Sequence, residues 1–379
     1  MKQVKIVHLT SAHLPFDTRI FKQCKCLADA GYVATLIVPC DCEQMVDGVQ
    51  IKAVPKPKGR VSRMGRTAWK IYREALRQDA DVYHFHDPEL IPVGLLLRTR
   101  RKKVIYDVHE NVPKQILRKD WIPNLLRPGI AWAYHYLERQ AARRWSAIVT
   151  ASEDISELVC DVAEHVVAIH NYAKLEDFPD GRHIENSRYS SGLLIHCGGI
   201  GPRIPVHAIV NAMRLVPEKL GAKLILCGAS HSGCLVGEAL QMPGWERVDY
   251  RGMIPRQEVI GLLASAAVAL VLFRRLDNNL SVRSNRLFEA MAAGLPVITS
   301  NFPEWREIVE GIGCGLTVEP EDPQAIASAI GHLLSHPDQS AAMGKRGRQA
   351  VLDNFNWTKE QQKLLNLYQD VLVSCHINK

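Results

Sequence analysis

No run of 18 or more apolar residues occurs in the 379-residue chain, so no segment is expected to cross a bilayer as a helix. The opening MKQVKIVHLTSAH has only a short apolar stretch. It lacks the long hydrophobic region and small-residue cleavage site of a secretory leader and reads as a buried first strand. No Cys-x-x-Cys is present. The ten cysteines are scattered, Cys24/Cys26 and Cys40/Cys42 stand one residue apart, and the one His-x-x-x-His, His332 and His336, has no cysteine beside it. That spacing argues against a zinc knuckle or a thioredoxin-like centre, and all ten read as reduced thiols of a cytoplasmic protein. No Gly-x-Gly-x-x-Gly follows a strand, which removes the fingerprint of a two-domain dehydrogenase. No short-period repeat, low-complexity tract or nucleic-acid-binding motif is visible, and no nucleic-acid partner is expected.

What is present is an ordinary globular balance, 47% hydrophobic and 23% charged, over a length that fits two domains. The net charge of +7 is unevenly spread. Residues 1–150 hold 26 Lys and Arg against 14 Asp and Glu, and residues 151–379 hold 21 against 26. A basic half suits nucleic acid, an anionic membrane surface or an acidic substrate, and the lack of a nucleic-acid motif disfavours the first.

The β-rich runs Val4–Thr10, Val33–Pro39, Val82–His86, Val104–Val108, Ala147–Ala151 and Val166–His170 predict strands, with a helix over Ile20–Ala30 that stops at Gly31. Asn171–Gly192, rich in turn formers, reads as a linker. Strands then resume at Leu193–Cys197, Lys223–Cys227, Val248–Arg251, Val268–Phe273, Pro296–Ser300 and Gly315–Val318, between helices at His207–Leu215, Arg256–Ala264, Ser284–Ala293 and Pro323–Ser335. The alternation predicts an α/β protein of two Rossmann-like parallel-sheet domains, 1–175 and 190–356. The amphipathic stretch from Trp357 to the end at 379 is expected to pack back on the first domain.

In the second domain, Ser284 or Asn285 can cap a helix whose N-terminal N–H groups and dipole suit a diphosphate. Arg286 in its first turn adds a bidentate cation, and Glu289, one turn on, can accept two hydrogen bonds from a ribose diol. Gly198-Gly199 after a strand would let a phosphate approach the backbone. A surface helix and a plain tight turn account for the same residues taken singly.

The segment SNRLFEAMAAGLPVITSNFPEWREIV, followed by Gly315-Leu316 and Pro320-Glu321-Asp322-Pro323, resembles the donor lobe of retaining family-four glycosyltransferases of the GT-B fold. HLPFDTRIFKQCKCLADAGYVATLIVP, HFHDPEL and YDVHE resemble the first lobe, in the family's order, so the likeness covers nearly the whole chain. The resemblance implies two lobes facing across a cleft. It implies a Glu-x7-Glu pair whose ribose-binding member is Glu289. The sugar-contacting member falls at Ser281, a departure that replaces a carboxylate by a hydroxyl. The family's phosphate-binding lysine falls at Arg286, with Leu287 in the same motif. A second cation falls near Ile204-Pro205, where Arg203 is the neighbouring substitute.

On the acceptor side, His13, Asp17 and Arg19 follow the first strand. His84, His86, Asp87 and Glu89 lie at the strand around Val82, and Asp107, His109 and Glu110 end Val104–Val108. Three polar clusters at three strand ends favour a site. They could also ligate a metal, but none has a short-range ligand spacing, and Asp79-Ala80-Asp81, the one Asp-x-Asp, precedes a strand. No metal and no cofactor is expected. The donor's diphosphate is instead neutralised by Arg286, Arg203 and a helix end. The resemblance implies retention at the anomeric carbon by front-side attack, the leaving diphosphate helping to deprotonate the acceptor, and His109 touching the donor sugar. Asp17 is the residue expected to orient the acceptor hydroxyl.

Lys56, Lys58, Arg60, Arg63, Arg66, Lys70, Arg73 and Arg77, then Arg98 to Lys103, form basic stretches, and Trp121, Trp132, Tyr134, Tyr136 and Trp145 interleave with Arg and Lys. This mix suits docking on the anionic inner face of the cell membrane, although solvated helix faces have the same composition. The leading expectation is therefore a transferase using a UDP- or GDP-sugar and a glycan or lipid-linked acceptor in cell-surface polysaccharide synthesis. A non-catalytic relative that binds nucleotide sugar or scaffolds a biosynthetic complex is the alternative, motivated by Ser281 and Ile204. A sugar-nucleotide epimerase on the same fold is a third.

Overall fold

The computed structural model describes residues 3–119, 121–178, 186–230, 233–275 and 284–373. The chain forms two compact units, Met1–Asn171 with Glu360–Lys379, and Tyr172–Lys359.

The first unit is built on β1 (Lys5–Leu9), β2 (Val33–Pro39), β3 (Gln44–Val46), β4 (Val49–Val54), β5 (Val82–Phe85), β6 (Lys103–Val108), β7 (Ala147–Thr150) and β8 (Val166–Ala168). Their order is β3-β4-β2-β1-β5-β6-β7-β8, and every pair is parallel except β3 with β4. The central strands are buried on both faces, which is why they read as continuous apolar runs. The antiparallel β3–β4 hairpin lies outside the sequence-predicted strands. Asp47 (φ +48°) and Gly48 (φ +77°) make its turn with two left-handed residues, as Asp-Gly favours. Two helices that the sequence reading treated only as basic or aromatic stretches, Ala68–Gln78 and Arg127–Ala142, also belong here. Helix Ala68–Gln78 buries Ala68, Ile71, Tyr72 and Ala75 in the core and leaves its arginines outside.

The second unit carries β9 (Leu193–Cys197), β10 (Lys223–Cys227), β11 (Val248–Gly252), β12 (Val268–Val271), β13 (Val297–Ser300) and β14 (Gly315–Val318). The order β11-β10-β9-β12-β13-β14 is fully parallel. Counted from its own first strand this is 3-2-1-4-5-6, the doubly wound order, and β4-β2-β1-β5-β6-β7 repeats it in the first unit. In such sheets ligands meet the carboxyl ends of the strands where the winding reverses, here between β9 and β12 and between β1 and β5. Helix Pro323–Ser335 shows the local logic: the Asp322 carboxylate accepts from the Gln324 and Ala325 N–H groups at 2.9 and 3.2 Å, with Pro323 at the first helical position.

Of the stretch read as a linker, residues 179–185 lie outside the described residues, and the flanks are not loose. Tyr172, Ala173, Phe178 and Tyr189 are buried in the second unit. Arg188 is also buried there, its guanidinium donating to the Ala293 and Gly294 carbonyls at 3.0 and 2.6 Å.

Candidate functional site

The carboxyl end of β9 runs into Gly198, whose φ of +124° is available only to glycine at low cost. The reason glycine is needed is steric as well. A Cβ at Gly198 would lie 2.1 Å from Arg286 Nε and 2.4 Å from its Cζ. The bare backbone thus admits the Arg286 side chain, a use for the glycine beyond phosphate approach. Arg286 Nη2 donates to the Gly199 carbonyl at 3.1 Å, Nη1 lies 3.4 Å from His196 Nε2, and the guanidinium stacks 5.1 Å from the centre of the Phe273 ring. Burial pushes the His196 pKa down to about 3, and the nearby Arg286 charge adds to this, so the imidazole is neutral. Burial also lowers the arginine pKa, with nearby Cys197 and Glu289 countering it, but a guanidinium stays charged in proteins.

Helix Asn285–Ala292 presents its N-terminus here, with Ser284 at the cap position in extended conformation. Among the described residues Ser284, at the cap, makes no side-chain capping bond. Arg286 and Glu289, with Ile195, Cys197 and Ala290 among others, line a small open cleft. Glu289 is engaged, its Oε1 lying 2.7 Å from Arg256 Nη1, while Arg256 Nη2 reaches Asp177 at 3.2 Å. Arg256 escaped the sequence reading because nothing in its local pattern distinguishes it from a solvated helix residue. The Leu287 side chain is fully buried in the core, so only its backbone can face a ligand. Asn285 is half-buried at the start of the helix. Arg203 is exposed, and its carbonyl accepts from the Arg274 N–H at 2.7 Å. Ser281 lies outside the described residues.

In the first unit the three polar clusters do converge at the β1/β5 reversal. Asp87 accepts from the Ser11 N–H at 2.6 Å and from Thr10 Oγ1 at 2.7 Å, and lies 3.4 Å from His13 Nε2. His13 Nδ1 lies 3.1 Å from Asp17. Burial alone would lower the His13 pKa; hydrogen bonds and charge from Asp17 and Asp87 override it and push it up to about 10, so His13 is an imidazolium at neutral pH. Asp17 spends its other oxygen on the Arg19 and Ile20 N–H groups at 2.9 and 3.1 Å, where helix Ile20–Asp29 begins. Both carboxyls are held well below the ordinary aspartate value against the pull of burial, by these partners.

Arg19 and Asp107 differ from the acceptor-side role expected of them. Asp107 is fully buried and takes a bidentate grip from Arg19, Nη2 at 2.7 Å and Nε at 3.0 Å, plus Gln23 at 2.9 Å. Arg19 also donates to the Ile169 carbonyl at 2.6 Å and the Thr150 carbonyl at 3.3 Å. This pair pins the loop after β1 to β6, β7 and the chain beyond β8. His86 is likewise buried, its Nε2 2.9 Å from His8 Nδ1. Tyr368, from helix Trp357–Val373, completes the cluster at 2.7 Å from His84 Nδ1 and 3.1 Å from His8 Nε2. Neither Tyr368 nor His8 was singled out from the sequence, because the histidines look like core strand residues and the tyrosine comes from the far end of the chain. His109 is the more accessible histidine, its Nε2 3.3 Å from both Asp107 and His86.

Two groups, His8/His84/His86 and His86/Asp107/His109, bring ligand atoms close enough for a metal ion, which the lack of short-range spacing did not anticipate. In the second, the three atoms are each 3.3 Å apart, close to the edge of a tetrahedral face. Asp107 is already neutralised by Arg19, however, and a cation there would face that guanidinium, so the arrangement reads as a buried hydrogen-bonded network.

Residues 17–171 match the family described as glycosyl transferase 4-like domain, and residues 192–336 match glycosyl transferases group 1. A GDP-mannose-dependent alpha-(1-6)-phosphatidylinositol monomannoside mannosyltransferase of Mycolicibacterium smegmatis is 29% identical over 198 residues, 50% of this chain and 51% of that protein. The chain thus spans about half the length of the first curated relatives it matches. Among solved structures, sucrose-phosphate synthase from Thermosynechococcus elongatus superposes with a TM-score of 0.75 at 17% identity, covering 98% of this chain and 100% of that one. Anabaena HepE in complex with UDP-glucose gives 0.72 at 15% identity, covering 97% and 100%. With its two doubly wound sheets and both family matches in order along it, the chain belongs to the family-four glycosyltransferases of the GT-B fold.

Proposed function

We propose that the protein transfers a glycosyl unit, with retention and without a metal, from a UDP- or GDP-sugar to a glycan or lipid-linked acceptor in cell-surface polysaccharide synthesis. The observation that carries this is Arg286, its guanidinium laid over Gly198-Gly199 at the β9/β12 reversal with Glu289 on the same small cleft. A diphosphate there meets a fixed cation and a helix N-terminus, which stabilise the charge that develops on the leaving group. Glu289 exchanges part of its pairing with Arg256 for the ribose diol. Relatives supply the donor range: one is named for GDP-mannose, and a solved neighbour holds UDP-glucose.

The acceptor partner is read from the first unit's surface. Trp132, Tyr136 and Leu137 are exposed on helix Arg127–Ala142, and Val61, Met64 and Trp69 are exposed beside Arg60, Arg66 and Lys70. The Arg60 guanidinium lies 4.8 Å from the centre of the Trp121 ring, and exposed basic and aromatic side chains of this kind suit an anionic bilayer. No helix among the described residues is long and apolar enough to cross a membrane.

Incubation with UDP-, GDP- and dTDP-sugars and membrane extract tests the proposal, following nucleotide release and label in lipid. Transfer that persists in EDTA supports it. A second reading, a nucleotide-sugar-binding relative without turnover, is favoured by Ser281 in place of a carboxylate and by the Arg256 hold on Glu289; tight nucleotide binding with no label moved would decide for it.

A further inference from the structure

Cys197 and Cys227 are register partners at the carboxyl ends of β9 and β10. Their sulfurs are hydrogen-bonded at 3.0 Å, the only such thiol pair among the described residues. Neighbouring strands run ~4.7–4.9 Å apart, inside the ~4.4–6.8 Å Cα range that a disulfide spans. Each cysteine precedes a glycine at positive φ, Gly198 at +124° and Gly228 at +144°. Cys197 lines the same small cleft as Arg286 and Glu289, while Cys227 is buried beneath. The other close-spaced cysteines lack this arrangement: Cys24 and Cys26 sit two apart on a helix, and Cys40 Sγ points to the Cys42 carbonyl.

We propose that Cys197 and Cys227 are an oxidation site, closing to a reversible disulfide that weakens nucleotide-diphosphate binding. The second half rests on the donor-site reading above.

The oxidant is hydrogen peroxide. One sulfur, as thiolate, attacks a peroxide oxygen and expels hydroxide, becoming a sulfenic acid, and the hydroxide takes up the proton the thiol released. The partner sulfur then attacks the sulfenic sulfur and water leaves. Two thiols lose two electrons and two protons, and one peroxide becomes two waters. The pair is primed for the first step. The shared S–H bond stabilises a thiolate at Cys227 and, although burial opposes it, the Arg251 and Arg286 charges assist. Closure then shortens the sulfur separation from 3.0 Å to ~2.05 Å. Gly198 moves with Cys197, and it has no slack, because Arg286 is already packed on its Cα and a Cβ there would lie 2.1 Å from Nε. Arg286 is therefore displaced from its seat over the glycines.

The test uses the full chain, reduced, then treated with peroxide. Expected are a fall from ten titratable thiols to eight in denaturant, one peptide linking residues 197 and 227 under non-reducing digestion, and about tenfold weaker UDP or GDP binding by calorimetry, corresponding to ~1.4 kcal/mol. Dithiothreitol restores all three, and in Cys227→Ala peroxide leaves the affinity where it was. Absence of the linked peptide overturns the site. A linked peptide with unchanged affinity overturns the second half alone. If the reduced protein binds neither nucleotide, the donor reading and the affinity half fall together, and the peptide map still decides the disulfide.

Discussion

Replacing Gly198 by alanine tests the donor site at its tightest point. The added methyl would sit 2.1 Å from Arg286 Nε, 2.4 Å from Cζ and 2.5 Å from Nη2, all impossible contacts. The backbone has little freedom, because φ is +124° and the Gly198 N–H donates to the Cys227 carbonyl at 2.8 Å. The guanidinium must therefore leave. A non-glycine residue at such a φ costs ~1–3 kcal/mol by itself, and losing the charged hydrogen bond to Gly199 adds ~1–2 kcal/mol. In an Arg286→Ala background these three contacts are gone and the backbone cost remains. Gly198→Ala should thus destabilise the wild type more than Arg286→Ala, with a coupling of ~1–2 kcal/mol in urea melts. Binding follows the same logic. Arg286→Ala should weaken UDP or GDP by ~2–3 kcal/mol, or ~30–150-fold, through loss of charge-assisted bonds. Gly198→Ala should cost about as much, and the double variant little more than either. Strict additivity in both stability and affinity would refute the claim that the glycine exists to seat this arginine.

Arg19→Ala should cost ~3–5 kcal/mol of stability, since it strands the buried Asp107 carboxylate; Arg19→Lys should recover little, because one ammonium cannot repeat the bidentate fork, and urea melts of both decide. Glu289→Ala should weaken UDP or GDP while leaving inorganic pyrophosphate binding nearly intact, as calorimetry on the two ligands will show, because the carboxylate is assigned to the ribose. His13 has its pKa raised from 6.5 to about 10 on folding. Its stabilisation, ~1–2 kcal/mol after solvent screening, is full below pH 6.5 and lost as pH rises through about 10, so a His13→Gln variant should show a flatter stability profile over that window.

The sheets were legible because parallel strands buried on both faces leave apolar runs that local context cannot imitate. The β3–β4 hairpin was missed although Asp47-Gly48 advertised it: its strands are short, and β3 is largely exposed, with no apolar run to mark it. Helix Ala68–Gln78 was hidden by its arginines, whose charge drew attention away from the i, i+3, i+4 spacing of Ala68, Ile71, Tyr72 and Ala75. At the sites, chain order told which residues gather at the strand ends but not which of them remain available. Arg19, Asp107 and His86 were as conspicuous as His109, yet they are interior, because a polar strand end can be spent on holding two loops together as readily as on a ligand. Their partners come from 88 and 78 residues away, beyond the reach of local spacing. Leu287 shows the converse: it shares a helix turn with Arg286, but a helix sends neighbours to different faces, and this one points into the core.

That availability also bears on the chemistry. Removing a proton from an acceptor hydroxyl calls for a base poised near neutral pH. Asp17 and Asp87 are carboxylates whose pKa values are held low by His13 and backbone N–H groups, which makes them weak bases. His13 is already protonated, and His86, pushed down to about 3 by burial, is weakly basic and fully enclosed. Asp107 is committed to Arg19. Among the described histidines of the β1/β5 reversal, His109 is partly exposed, and the neighbouring Glu110 is exposed and outside these pairings. Most of the carboxylates gathered there are thus spent on holding the loops together, which is why their number at the strand ends overstated the bases on offer.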